Sequence, residues 1–286
     1  MGTNSGVNWT DHSWSPWKGC TKCATGCLHC YAEREMTRFG QNFSCVQRTA
    51  KSTWNQPLAR HRNGSHVWKS GSRVFVCPWS DFFHFQASEW RSVAWDAIRL
   101  RPDLRWIILT KRAKEMAKRL PENWGDGWAQ VCLGVSCSTQ DDLKRFVPDL
   151  FATPAACHIV SLEPLLDLVW PASIPLVPGY GPGWANPMQD IHPRFRQPGK
   201  NWRGIDGIII GCESGPRRRP MRHEWARNMI AEAENFAVPV YLKQISEHAD
   251  GRGKVLHDPA EIRDVFGSCP RELPPFFDLT KRGETP

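Results

Sequence analysis

Arg105-Trp106-Ile107-Ile108-Leu109-Thr110, followed at once by Lys111-Arg112, sets the reading of the fold. The run is compact and apolar instead of alternating, as a strand is when both of its faces are covered by other elements. The segments 73–77, 131–137, 157–162, 205–212 and 238–243 share that character. Between them lie stripes at helical spacing: Trp90, Val93, Ala94, Ala97 and Ile98 form one, and Trp225, Met229, Ile230 and Ala233 another. A short strand near 7–9 and a helix over 31–39 complete six or seven βα units. The 286 residues suit one α/β barrel, which commonly takes about 250. The sequence therefore predicts an α/β fold, a full or partial parallel (βα) barrel over 1–249. A flap is inserted at 171–204, and an irregular closing segment runs over 250–286.

Polar residues recur at or just after the strand cores: Ser80-Asp81, Thr110-Lys111-Arg112, Ser136, Ser161 with Glu163, Glu213-Ser214 and Lys243-Gln244. In a parallel barrel these positions share the C-terminal mouth, where active sites are built. Any one of them reads equally as a helix cap or a surface charge, so the recurrence carries the argument. Lys111, Glu163 and Lys243 are the candidate catalytic residues. The lysines offer positive charge to a carboxylate or phosphate, and burial tunes such groups for proton transfer. Ser80, Asp81, Ser136, Glu213 and Ser214 are candidates for holding a cofactor. Glu213 lies in Gly211-Cys212-Glu213-Ser214-Gly215, where glycines permit close backbone approach and the carboxylate suits an amino-acid ammonium. An ordinary Lys–Glu ion pair across the rim is the alternative reading.

The densest chemistry is Cys20-Thr-Lys-Cys23-Ala-Thr-Gly-Cys27-Leu-His-Cys30. Three thiolates at such spacing hold three irons of a [4Fe-4S] cluster and leave the fourth open to chelate S-adenosylmethionine, whose reductive cleavage starts radical chemistry. Either Cys20 or Cys23 serves as first ligand beside Cys27 and Cys30. Zinc is the competitor, although structural zinc sites usually join two knuckles from separated segments and these cysteines are all local. Disulfides are disfavoured, because the eleven cysteines are an odd number set largely in apolar segments behind no signal peptide.

No apolar run approaches the roughly 20 residues of a membrane span. A net charge of +8 and a pI near 9.0 fit a polyanionic partner. Arg217, Arg218 and Arg219, between two prolines and close to Glu213, are candidates for gripping nucleic-acid phosphates. Six of the 15 tryptophans, Trp9, Trp14, Trp17, Trp54, Trp68 and Trp79, precede the first long helix. They suit packing around a cofactor or stacking on bases, with core packing the weightier reading for most. The segment 171–204, rich in proline and glycine, with Tyr180, Trp184, Trp202, Arg194, Arg196, Lys200 and Arg203, reads as a substrate-facing flap.

Trp14-Ser-Pro-Trp-Lys-Gly-Cys20 and Gly26-Cys-Leu-His-Cys-Tyr-Ala-Glu33 open a longer set of motifs. It continues through 76–84, Leu109-Thr-Lys-Arg112, Leu133-Gly-Val-Ser136, Ser161-Leu-Glu-Pro-Leu-Leu166, Gly211–Gly215 and Lys243-Gln244. Together they resemble a phage and prophage family of unknown function that is regarded as radical-SAM-like. The resemblance implies a barrel of the radical SAM type and a cluster on Cys20, Cys27 and Cys30. This chain departs from the family pattern in the added Cys23, and in Cys212 where the family more often shows glycine.

As a substrate the resemblance implies DNA, or a modified nucleotide, carrying an amino-acid adduct on thymine whose glycine attachment moves from nitrogen to its α-carbon. A 5′-deoxyadenosyl radical would take a hydrogen from the adduct, the radical would rearrange, and hydrogen return or a further electron would close the cycle. A base within duplex DNA must first be unstacked. An external electron donor and a cytoplasmic location, that of the host cell if phage-encoded, complete the expectation. The competitors are a zinc-containing nucleic-acid-binding module without catalysis and a radical SAM lyase that repairs damaged pyrimidines.

Overall fold

The computed structural model describes residues 7–174, 188 and 204–277. The strands are β1 (His12–Trp14), β2 (Trp17–Lys18), β3 (Gln47–Arg48), β4 (Arg73–Val76), β5 (Arg105–Thr110), β6 (Val131–Ser136), β7 (Cys157–Leu162), β8 (Gly207–Gly211), β9 (Val240–Ser246) and β10 (Val255–Leu256). The helices are α1 (Tyr31–Arg38), α2 (Lys51–Trp54), α3 (Ser88–Arg99), α4 (Gln140–Phe151), α5 (His223–Asn235) and α6 (Pro259–Phe266). Eight strands form one sheet in the order β1-β4-β5-β6-β7-β8-β9-β10, and β2 pairs with β3 in a small ribbon. Within the eight-stranded sheet every pairing from β1 through β9 is parallel, β10 runs antiparallel to β9, and the β2–β3 ribbon is antiparallel. The fold is α/β, with strands in sequential order as successive βα crossovers produce.

The full barrel is not formed: β1 and β10 are the two edges of an open sheet. The sheet nevertheless curls. Inward residues Phe75, Ile107, Ile159, Ile209 and Tyr241, from β4, β5, β7, β8 and β9, share one apolar cluster with Trp9 and Phe277. The opposite faces of the same strands pack under the helices in a much larger core that includes Val74, Ile108, Leu133, Val160, Ile210 and Leu242. Coverage on both sides is why the strand sequences run apolar throughout.

The strands over 105–110 and 157–162 have the expected limits, whereas the first strand does not. Residues 7–10 turn instead, with Thr10 N donating to Val7 O at 3.0 Å, and Trp9 drops into the inner cluster. His12, Ser13 and Trp14 then pair with Val74, Phe75 and Val76, and Asp11 receives the Arg73 guanidinium at 2.9 Å. The crossover after β5 consists of short 3-10 turns over Ala113–Glu115, Ala117–Arg119 and Glu122–Trp124 in place of an α-helix. Pro121, Gly125 and Gly127 interrupt any longer helix there.

Trp14, Trp17, Trp54 and Trp68 are buried. Rings stack edge-on or tilted from Trp54 through Trp17 and Phe82 to Trp95 and Trp124, at centroid separations of 4.7–6.5 Å. These tryptophans are core, and of the six only Trp9 and Trp79 reach the large cavity described below. The segment after 250 is more regular than expected. Asp258 caps α6 by accepting from Ala260 N and Glu261 N, Pro259 starts the helix, and Gly267 ends it at φ +91°. Beyond it the chain passes beneath the sheet, where Phe276 O accepts from Arg105 Nε at 2.8 Å and Phe277 joins the inner cluster. The expected flap, apart from 171–174, 188 and 204, lies outside the described residues.

Ile159 is buried at the centre of the inner cluster. Ile159→Ala is expected to lower the unfolding free energy by about 2–5 kcal/mol, read as a lower urea midpoint at unchanged slope.

Candidate functional site

The C-terminal ends of the parallel strands surround a cavity of about 520 Å³. Its wall includes Cys77 after β4, Thr110 and Lys111 at the end of β5, Ser136 of β6, Glu163 after β7, Cys212 and Glu213 after β8, and Lys243 and Gln244 of β9. Its floor is Trp9, Phe75 and Leu109, the upper surface of the inner cluster. The loop between β2 and α1 covers one side and contributes Cys20, Cys23, Cys27 and Cys30. All eleven cysteines are free thiols.

Two anchors fix the cysteine loop. On one side Glu213, with its side chain only 4% exposed, receives Arg219 through Nη2 at 2.5 Å, Nε at 3.1 Å and the backbone N at 2.8 Å. The same carboxylate holds His29 Nδ1 at 2.9 Å, and Arg219 Nη1 donates to Thr25 O at 3.0 Å. Burial alone would raise the Glu213 pKa, but Arg219 and His29 outweigh it and hold the carboxyl below its usual range. On the other side Arg112 Nη2 donates to Thr21 O at 2.6 Å and Thr21 Oγ1 at 2.8 Å, and lies 3.7 Å from Cys20 Sγ. His84 is pushed down to about 4, chiefly by burial and then by Arg112. Its Nδ1 accepts from Gln86 N, so Nε2–H donates to Thr21 Oγ1 at 3.0 Å.

Asp81 is a hub beneath this second anchor. It accepts from Thr110 Oγ1 at 2.8 Å, Lys111 N at 3.1 Å and Phe83 N at 2.9 Å, so its oxygens are committed to the scaffold. Ser80 Oγ likewise donates to Gly19 O at 2.5 Å. Both residues line the cavity, and these bonds tie them to the scaffold and the loop. Gly19, at φ +91°, leaves no room for a side chain against Cys45 O and Phe43 O. Gly26 similarly lies against Ser138 Oγ and Lys111.

The thiols differ electrostatically. Burial pushes Cys20 up to about 12, with Asp81 adding to the effect and Arg112 opposing it. Burial also raises Cys30. Cys23 and Cys27 share a hydrogen bond in which Cys23 donates, which holds Cys27 below the ordinary thiol range against burial, with Lys111 helping. Cys23 is raised correspondingly. Among the described residues, no three His, Cys, Asp or Glu side chains are grouped closely enough to hold a metal ion as they stand. The sulfurs are drawn toward different partners: Cys20 to Arg112, and Cys23 to Cys27 and to Lys111 O at 3.6 Å.

The expected catalytic trio, Lys111, Glu163 and Lys243, also lines the cavity. Lys111 Nζ donates to Ser136 Oγ at 2.7 Å, and Ser136 Oγ donates to Glu163 O at 3.1 Å. Lys243 Nζ meets Glu163 Oε1 at 2.8 Å, while Ser161 Oγ donates to Glu163 Oε2 at 3.2 Å. A register shift between β8 and β9 pairs Ile210 with Leu242 and Gly211 with Gln244, leaving Lys243 as the extra residue. This bulge aims both Lys243 and Gln244 at the cavity.

Two arginines of the basic run are engaged within the fold. Arg219 is spent on Glu213, and Arg218 donates to Gly215 O at 3.2 Å and to Gly253 O. Arg217 alone of the three is exposed. Glu213 is correspondingly saturated by its own chain, which leaves little of it for a substrate ammonium. Ser214 contributes its carbonyl to Arg34 Nη1 of α1 at 3.2 Å. His29, Arg34 and His84 were not among the candidates read from the sequence. Only the place of His29 between Cys27 and Cys30 marked it there.

Residues 4–274 match the family described as protein of unknown function (DUF5131), and the chain belongs to that family. No curated protein matches the chain, and no solved structure matches it. No helix among the described residues is long and apolar enough to cross a membrane.

Glu213→Ala leaves Arg219 without its carboxylate and cuts the tie to His29. Hydrogen–deuterium exchange across 20–30 is expected to accelerate at least tenfold while exchange in β5–β7 stays unchanged. The anchor is also acid-labile. Because the folded pKa of Glu213 is depressed, its stabilisation is complete above the ordinary glutamate pKa and is lost as pH falls through the depressed value. Loop protection in the native protein is therefore expected to fade only at pH values below the ordinary glutamate range, and in Glu213→Gln to lack that step.

Proposed function

We propose that this chain is a radical S-adenosylmethionine enzyme that modifies or rearranges an amino-acid adduct on a DNA base. The observation that carries the reading is the gathering of four loop thiols and the Lys111, Glu163 and Lys243 side chains around one cavity at the strand ends. The donor set fits an iron–sulfur centre: soft thiolates, with Lys111 and Arg112 close enough to offset their negative charge. The cavity is within the range of about 300–1,000 Å³ that holds cofactor-sized ligands.

Cys20, Cys27 and Cys30 are the proposed ligands. Cys23 is the competitor for Cys20, and its contacts with Cys27 and with Lys111 O give it a supporting role in the loop. When bound, the cluster and its sulfonium ligand supply reductive cleavage and hydrogen abstraction from an unreactive C–H bond. The chain's own residues bind, orient and shield. The Glu163–Lys243 pair presents one carboxylate and one ammonium 2.8 Å apart, a complement to the ammonium and carboxylate of an amino-acid moiety. Lys111, held by Ser136, directs a positive charge toward the thiol side of the cavity. Trp9, Phe75 and Leu109 form a dry floor that keeps water from a reactive centre. An external electron donor completes the cycle.

The test begins with anaerobic purification and reconstitution, iron and sulfide quantitation, and an assay for 5′-deoxyadenosine. A brown protein with iron and sulfide that cleaves S-adenosylmethionine is expected. A colourless zinc protein inert toward the cofactor overturns the reading in favour of a zinc-containing nucleic-acid-binding module. Mass spectrometry of treated DNA separates adduct isomerisation from lyase repair of a damaged pyrimidine. Cys20→Ser, Cys27→Ser and Cys30→Ser are expected to lose most bound iron, and Cys23→Ser to retain it. Glu163→Gln and Lys243→Met should keep the iron but lower turnover of the adduct by about 10²-fold or more.

A further inference from the structure

Between Glu35 and Asp81 the chain has no acidic residue, although it carries 29 of them over 286 positions. The same interval holds Arg38, Arg48, Lys51, Arg60, Arg62, Lys69 and Arg73. It forms the excursion between the cysteine loop and β4. Arg38 is 3.8 Å from Glu35 and Arg73 is paired with Asp11. The other five lie outside every ion pair among the described residues, and all five are exposed.

Their neighbours present them instead of neutralising them. The Arg48 guanidinium lies over the Trp54 ring, 4.2 Å from its centroid, which fixes the side chain and leaves its donors outward. Arg60 Nη1 donates to Gly64 O at 2.6 Å, a bond that stiffens the 60–66 hairpin but cancels no charge. Lys51, Ser52, Asn55, Leu58 and Ala59 line an open depression in the same surface. A cation, two neutral polar groups and an exposed leucine suit a sugar–phosphate chain.

The excursion is continuous with the mouth of the large cavity. Arg48 pairs with Trp17 in the ribbon, Cys20 N donates to Phe43 O at 2.7 Å, and Phe43 lines the cavity wall. At its far end Gly71 N bonds Asp103 O beside the start of β5. The uncompensated cations therefore begin at the cysteine loop and extend along the β1 side of the sheet toward the opposite end of the strands.

We infer that the surface formed by Arg48, Lys51, Arg60, Arg62 and Lys69, drawn from a stretch of sequence without acidic residues, is a docking track for the phosphodiester backbone of a nucleic acid. It is distinct from the arginine run at 217–219, where the fold engages Arg218 and Arg219. Its purpose, holding a strand while one base enters the cavity, rests on the function proposed above. The binding itself does not, because it needs neither cluster nor cofactor, so the two ideas fail separately.

The test is fluorescence anisotropy of a labelled random-sequence DNA duplex of roughly 30 base pairs, titrated with full-length protein over a salt series. Lys51→Gln/Arg62→Gln/Lys69→Gln removes three track charges. Lys114→Gln/Lys118→Gln/Lys144→Gln removes three exposed charges elsewhere and matches the net change. Each lost phosphate contact should lower the slope of log K against log salt by about 0.9, so the track variant should lose about two to three in slope and bind at least about tenfold more weakly. The matched variant should bind as the native protein does. Equal losses in both variants, or no binding by the native protein, overturn the inference. So does displacement of DNA by phosphatidylserine vesicles with the same dependence on the three residues, which would make the surface a membrane-facing one. Circular dichroism melts of both variants check that neither has lost its fold.

Discussion

A buried carboxylate must be paired or it destabilises the fold around it, and Glu213 meets that demand by collecting Arg219 and His29. Three separate parts of the sequence are thereby tied to one point: the end of β8, the turn that follows it, and the middle of the cysteine loop. The loop is irregular, and its only regular element before α1 is a single 3-10 turn at Thr25–Cys27. It has no hydrogen-bonded ladder to hold it, so its position is set by these side-chain contacts and by the Arg112, Thr21 and His84 contacts on the far side. Both anchors are charge-assisted or buried, which makes them stronger and more directional than ordinary surface contacts.

The sheet determines what the anchored loop faces. Parallel strands in sequential order bring all their carboxyl ends to one rim, and the shared inner cluster draws that rim into a cup. Residues far apart in sequence, such as Lys111 and Lys243, then line a single cavity. The bulge in β9 adds local precision, since strict alternation would turn one of Lys243 and Gln244 away from the cavity. Gln244 uses that orientation to donate to Cys212 O at 2.6 Å, leaving Lys243 to meet Glu163.

Strand positions were legible because both faces of each strand are buried, and the resulting apolar runs need no knowledge of partners. The mouth residues were legible for the same reason, since a polar residue ending such a run has one place to go. What the sequence could not convey was the partner of each charge. Asp81 looks as available as Glu163, yet Thr110 and the backbone of Phe83 and Lys111 consume it. Three consecutive arginines invite a phosphate, but Arg218 and Arg219 are turned inward by acceptors that only the fold brings near. Conversely, the basic surface over 48–69 is dilute in sequence, with cations several residues apart, and it emerges from the lack of acidic residues between Glu35 and Asp81. The tryptophans were ambiguous for a similar reason, because an aromatic ring packs on protein or base alike and its burial decides which.

The plugged underside of the cup has a kinetic consequence. Trp9, Ile107, Ile209, Tyr241 and Phe277 fill the space below the cavity, so the chamber is a blind well beneath the described rim. Among the described residues, access to it is from the rim side. On the function proposed above, whichever of cofactor and substrate sits deeper would enter first and depart last, an order that patterns of product inhibition would show.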